Sequence, residues 1–205
     1  MTYHQFRERF ESFHLFSLKD IRKAEPRFDR RRLVEWQQKK YIIKIANSYY
    51  TFAKQKITEP FLFLASNKIY QPSYISLESA LAYYGFIPEG VFLITGVSTR
   101  KTQKFNTAIG SFVFRNIKEE LFFGYQLLSA GNLHFKIAGP EKALLDYLYF
   151  NRHLDTPEEF EQTRFNRGEL RKRITFRQLK ILSKQFRNPR LEKQTQSLIQ
   201  FIQHV

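Results

Sequence analysis

The chain of 205 residues contains no cysteine and a single methionine. Without thiols there is no cysteine nucleophile, no disulfide and no Cys-ligated zinc, a composition that fits a reducing compartment. Long apolar runs are also missing. No stretch approaches the roughly 18 apolar residues of a membrane span, and Arg7, Glu8 and Arg9 occupy the region where a signal peptide would be apolar. The expectation is a soluble, cytoplasmic protein with no membrane partner. Acidic residues are scarce, at 19 Asp+Glu against 34 Lys+Arg, a formal net charge of +15. Such a surplus points to a polyanionic partner, nucleic acid before an acidic membrane face. The histidines at 4, 14, 134, 153 and 204 are scattered with no pair at ligand spacing, so no metal is expected. There is no G-x-S-x-G elbow and no Walker loop. Glu119 and Glu120 are adjacent, and on a strand they face opposite sides and cannot share a metal. No catalytic residue and no cofactor is assigned.

What is present is a core-forming composition, 42% hydrophobic and 17% aromatic, which argues against disorder. The charge is unevenly placed. Residues 1–58 carry a surplus of eight positive charges, residues 59–150 of one, and residues 151–205 of six. A near-neutral middle between two basic ends places basic faces on particular elements, although a solvated basic surface is the alternative for each end. The length suits two modest domains. They are read as residues 1–54 and 60–205, with the aperiodic polar stretch from Ala53 to Glu59 between them.

In the first domain, Phe6, Phe10 and Phe13 recur at helical spacing, predicting a helix from Tyr3 to about Ser12. Leu15 and Phe16 form an extended link. Ser17 is an N-cap with Asp20 at N3, Leu18 and Ile21 supply the buried face, and the helix stops before Pro26. Asp29 caps a third helix in which Leu33, Val34 and Trp36 point inward while Arg30, Arg31, Glu35, Gln38 and Lys39 face outward. Tyr41 to Ile45 and Tyr49 to Phe52, joined by Ala46-Asn47-Ser48, read as a β-hairpin. This is the element order of a winged helix-turn-helix, whose third helix enters the major groove of duplex DNA. Arg30, Arg31 and Arg32 begin that helix. Arg30 and Arg31 are placed to read bases, with Gln38 farther along the groove. Lys19, Arg22, Lys39, Lys44 and the wing tip at Asn47, Ser48 and Tyr49 are placed to hold phosphates. A protein-docking winged helix is the alternative, yet an Arg triplet at a helix start opposes the helix dipole and a phosphate there would relieve it.

The second domain is read as α+β with a mainly antiparallel sheet and C-terminal helices. Pro60 opens an apolar stretch to Ile69, Ser76 caps a helix through Tyr84, and Gly85 ends it. Strand-like runs follow at Val91 to Thr95, Ser111 to Arg115, Phe122 to Leu128 and Leu133 to Ala138. Short connections imply antiparallel pairing. Pro140 then starts a helix.

Three blocks of this region carry a resemblance. Tyr74-Ile75-Ser76-Leu77-Glu78-Ser79-Ala80-Leu81-Ala82-Tyr83-Tyr84-Gly85-Phe86-Ile87-Pro88-Glu89, then Ile94-Thr95-Gly96-Val97-Ser98-Thr99-Arg100-Lys101, then Phe135-Lys136-Ile137-Ala138-Gly139-Pro140-Glu141-Lys142-Ala143-Leu144-Leu145-Asp146 resemble, in this order, the AbiEi family of antitoxins from type IV toxin-antitoxin systems. With the N-terminal module the resemblance runs to about Phe150. It implies a DNA-binding repressor of its own operon, paired with a nucleotidyltransferase-like toxin that it opposes without a stable complex. The wing turn departs from the pattern, being Ala46-Asn47-Ser48 where a glycine- and arginine-rich turn is expected.

Three further features remain. Ser98, Thr99, Arg100, Lys101 and Lys104 follow a strand and form either a second anion site or a solvated hairpin loop. Asp146, four residues after Lys142, is read as the structural partner of a nearby cation. In the tail, Thr156, Thr175 and Asn188 each start a helix. Leu191, Thr195, Leu198, Ile202 and Val205 make one stripe for the chain's own domain or for a twin copy. Arg164, Arg167, Arg171, Lys172, Arg173 and Arg177 cluster where they could flank bound DNA, touch RNA or stay solvated. The oligomeric state is left open between a monomer on paired repeats and a dimer. Two other functions compete with the antitoxin: a nucleic-acid- or nucleotide-processing enzyme delivered by the winged helix, and an RNA-binding module.

Overall fold

Thr2, Ser17, Thr58 and Thr156 each stand in extended backbone immediately before a helix, and each hydroxyl accepts the N–H three residues on. Such caps stabilise by about 0.5–2 kcal/mol apiece, so short polar residues punctuate this chain into its elements. The computed structural model describes residues 1–88 and 93–203.

The first unit comprises α1 (Tyr3–Phe10), β1 (Phe16–Ser17), α2 (Leu18–Ala24), α3 (Arg31–Gln38), β2 (Ile42–Lys44) and β3 (Tyr49–Phe52). β3 lies between β1 and β2 and is antiparallel to both, with Phe16 opposite Tyr50 and Ile43 opposite Thr51. Its core is an aromatic cluster centred on Phe6, whose ring centroid lies 4.6 Å from Trp36 and 5.1 Å from Phe16. Two expected core residues are outside it. α1 ends at Phe10, which breaks the helical period before Phe13, and that ring is 47% exposed. Val34 is 53% exposed. Leu33 and Trp36 share the buried stripe of α3, and one residue's rotation of about 100° carries Val34 off it.

The second unit continues with α4 (Glu59–Ile69), β4 (Ser73–Ile75), α5 (Leu77–Tyr83), β5 (Leu93–Ser98), β6 (Gln103–Thr107), β7 (Gly110–Asn116), a 3-10 turn (Glu119–Leu121), β8 (Tyr125–Ala130), β9 (Leu133–Ala138), α6 (Pro140–Phe150), α7 (Pro157–Gln162), α8 (Arg167–Arg173), α9 (Phe176–Gln185) and α10 (Pro189–Gln203). Its strands form one sheet in the order β6-β7-β5-β4-β9-β8. The molecule is therefore a mixed α+β fold with C-terminal helices. Val91, expected to open β5, lies outside the described residues, as do Glu89 of the first family-like block and His204 and Val205 at the C-terminus.

Several local expectations are corrected. The sheet is mainly antiparallel as expected, through β4–β5, β6–β7 and β8–β9, but β5–β7 and β4–β9 run parallel where the short connections implied antiparallel pairing. β4 and β6 enter the order where no strand was expected. Glu119 and Glu120 lie on the 3-10 turn rather than on a strand, and β8 begins only at Tyr125. The apolar stretch after Pro60 is a helix that starts at Glu59 with Thr58 as its cap.

The larger core includes Phe61, Phe63, Tyr74, Phe86, Phe112, Phe114 and Phe135, all at most 1% exposed, and it takes in Ile45 from the first unit. Leu191, Thr195, Leu198 and Ile202 are buried within the chain itself, so the α10 stripe faces its own domain. Among the described residues, no helix is long and apolar enough to cross a membrane.

Candidate nucleic-acid interface

α3 owes its start to Asp29, whose carboxylate accepts the Arg31 N–H at 2.9 Å while its backbone carbonyl accepts from Arg32. Arg30 occupies the N-cap position with no side-chain cap of its own. Arg30, Arg31 and Arg32 are all exposed, and among the described residues none of their guanidinium groups has a hydrogen-bond or ion-pair partner. Three cations at a positive helix terminus repel the dipole and one another, an arrangement an anion would relieve.

Farther along α3, Gln38 is exposed on the final turn. Lys39 pairs with Glu35 at 2.7 Å. The Lys39 hydrogen bond, then its charge, hold the Glu35 carboxyl below the usual carboxylate range, and the same contacts raise Lys39. Lys39 thus has an ion-pair partner, whereas Arg32 acts on Glu35 only through its charge and makes no ion pair or hydrogen bond among the described residues.

α2 and the hairpin turn meet, because Leu18 N–H donates to the Ser48 carbonyl at 3.2 Å. Lys19, Arg22 and Ser48 line one shallow depression together with Lys23. Lys23 was not among the residues predicted for binding. Its position one turn after Lys19 is the signal that could have found it. Lys44 ends β2 and is exposed. Asn47, in contrast, has φ 52 and gives its side-chain amide to the Ile69 carbonyl at 3.1 Å. Tyr49 packs against the larger core. The hairpin turn therefore leans on the end of α4, which occupies the Asn47 amide.

The other two predicted basic sites are more internally engaged. Ser98 is fully buried on β5, and its hydroxyl donates to the Pro72 carbonyl. Arg100 lies 4.7 Å over the Tyr70 ring and donates to the Gln71 carbonyl. The Asn116 amide bonds the Thr99 and Arg100 carbonyls, closing the turn, while Lys101 and Lys104 point outward. In the tail, Arg167 pairs with Glu161 and stacks on Phe201, and Lys172 and Arg173 share Glu169. Arg171 binds the carbonyls of Ile202 and Gln203. Arg164 has φ 53, and Arg177 is exposed at the start of α9. Arg167 and Arg171 tie α8 to α7 and α10, while Lys172 and Arg173 pair within α8.

The expected Asp146 partnership is present and larger than anticipated. Lys142 and Asp146 form a fully buried ion pair, and Tyr74 and Ser76 donate to the other Asp146 oxygen at 3.0 and 2.8 Å. Burial lowers the Lys142 pKa, against the pull of Asp146. Burial first, then the Asp146 charge, raise the Tyr74 hydroxyl well above its ordinary 10.0. Ser76 stands at the N-cap of α5 as expected, but with its hydroxyl on Asp146 it makes no capping bond. Among the described residues, no group of three or more His, Asp or Glu could hold a metal ion.

No protein-family model matches the chain, and no curated protein matches it.

Proposed function

We propose that residues 1–54 are a winged helix-turn-helix that lays α3 in the major groove of duplex DNA. On this reading the chain is a non-catalytic, cytoplasmic antitoxin of the type IV kind. It represses its own operon and opposes a nucleotidyltransferase-like toxin encoded beside it. The observation that carries the DNA-binding half is the contrast in how the cations are used. Arg30, Arg31 and Arg32 are exposed with no hydrogen-bond or ion-pair partner among the described residues, whereas Arg167, Arg171, Lys172 and Arg173 are engaged inside the chain. An unpaired arginine fork is free to pair with guanine or with two phosphate oxygens. The Lys19, Arg22 and Lys23 depression beside Ser48 supplies a second set of cations for the backbone. The antitoxin half rests on the order of the three AbiEi-like blocks.

The test is a gel shift on the DNA upstream of the protein's own gene, run across a salt series. Specific binding should persist at salt that removes binding to random duplex. Equal affinity for both at every salt concentration defeats the repressor reading. Co-expression with the product of the adjacent gene tests the other half. A toxic neighbour whose effect this chain suppresses supports it, and a harmless neighbour refutes it.

A further inference from the structure

β4 starts only at Ser73 and meets β9 through the single pair Ile75 and Ile137, so the first half of β9 has no strand on that side. A cavity of about 380 Å³ fills the gap between β9, the Gln71-Pro72-Ser73 segment and the last turns of α4. That volume lies in the range of small-ligand sites, roughly 300–1,000 Å³. Its rim carries Lys68, His134 and Lys136, and no carboxylate is among its lining residues.

Two buried polar atoms there lack partners among the described residues. Asn67 accepts the Lys136 backbone N–H with its carbonyl oxygen, which leaves its NH2 group buried and unbonded. Ser73 is 4% exposed, and its hydroxyl has no hydrogen-bond partner. Buried donors without partners are costly, and both belong to residues that line the cavity, where oxygens of a bound ligand would supply acceptors. Apart from Gln71, the remaining wall is apolar. Leu64 and Pro72 line it, with Leu127, which is 64% exposed on β8.

We propose that this slot binds a nucleoside monophosphate. The phosphate lies among Lys68, Lys136 and His134 and accepts from Asn67 and Ser73, while the base covers Leu127 and Pro72. A bare phosphate leaves the apolar wall uncovered, and a sugar phosphate sets hydroxyls against it; a flat, weakly hydrated base suits both halves. The site is separate from the arginines of α3 and does not depend on the DNA-binding reading.

Isothermal titration of the full chain with AMP, adenosine and inorganic phosphate tests it. AMP should saturate below millimolar concentration, and adenosine and phosphate should each bind at least tenfold more weakly. Asn67→Asp keeps the oxygen that accepts from Lys136 and replaces the free donor with a repelling oxygen. It should weaken AMP at least tenfold. The double variant Lys68→Glu, Lys136→Glu changes only exposed side chains and should do the same without altering the far-UV circular dichroism, which keeps the test open if Asn67→Asp misfolds. The control Arg30→Ala, Arg31→Ala should leave AMP affinity unchanged. The proposal is overturned by no AMP binding at millimolar concentration, by unchanged affinity in the slot variants, or by loss of binding in the α3 control.

Discussion

Lys142 and Asp146 stand one turn apart on α6 as an ion pair with neither side chain exposed to solvent. Burial of two charges is repaid only while both are present. Asp146→Ala leaves an ammonium packed among Tyr74, Phe123 and Phe186 with no counter-charge, and it should destabilise the chain by about 3–5 kcal/mol. The double replacement Lys142→Met, Asp146→Leu should cost much less. Urea titration of both variants checks this, and equal losses would contradict the account.

Tyr74 adds a pH dependence to the same cluster. Its folded-state pKa is raised above the unfolded value, so its contribution is fully present below about pH 10 and falls as pH rises through the folded pKa. At pH 8, Tyr74→Phe should cost about 1–3 kcal/mol, because an acceptor on buried Asp146 loses its donor. Above pH 10 the gap between wild type and variant should narrow, since the unfolded wild-type chain gains stability by ionising Tyr74 and the variant cannot. A gap that widens with pH contradicts this sign.

Arg30 and Arg31 are the residues through which DNA affinity should be lost. Replacing both with alanine should cost about 1–3 kcal/mol for each base contact removed, with unchanged circular dichroism because neither side chain has a hydrogen-bond or ion-pair partner among the described residues. Arg171→Ala should behave in the opposite way. It removes the bonds to Ile202 and Gln203 that hold the end of α10, so thermal stability should fall while DNA affinity holds. Fluorescence anisotropy and thermal melts on the two variants separate these outcomes.

The first unit was the more legible part because its signals are local. Ser17 caps α2 with Asp20 at N3 as expected, the two forming a reciprocal capping box, Pro26 follows the end of α2, and Leu33 with Trp36 defines the buried side of α3. The errors at Phe13 and Val34 come from extending a period beyond the helix and from counting any apolar residue as core. The second unit depends on distant contacts. β4 is three residues long and buried throughout, so it shows no alternation, while β6 is an edge strand rich in polar residues. Ser76 reads as a cap by type and position. Only the fold reveals that Asp146, 70 residues away, takes its hydroxyl.

Asn47 separates what a hairpin-turn residue does by type from what it does by position. The side-chain amide that was expected to hold a phosphate instead donates to the Ile69 carbonyl, and the backbone there is left-handed at φ 52. Asn47→Gly tolerates that backbone and removes only the amide. The expected cost is about 0.5–1.5 kcal/mol, together with faster amide exchange at Ser48 and Tyr49 as the turn loosens from α4. DNA affinity should stay within about threefold of wild type, because the lost group was already engaged inside the chain. A loss comparable to that of Arg30→Ala would mean that the turn leaves Ile69 when DNA binds, and that the amide then reaches the phosphate backbone.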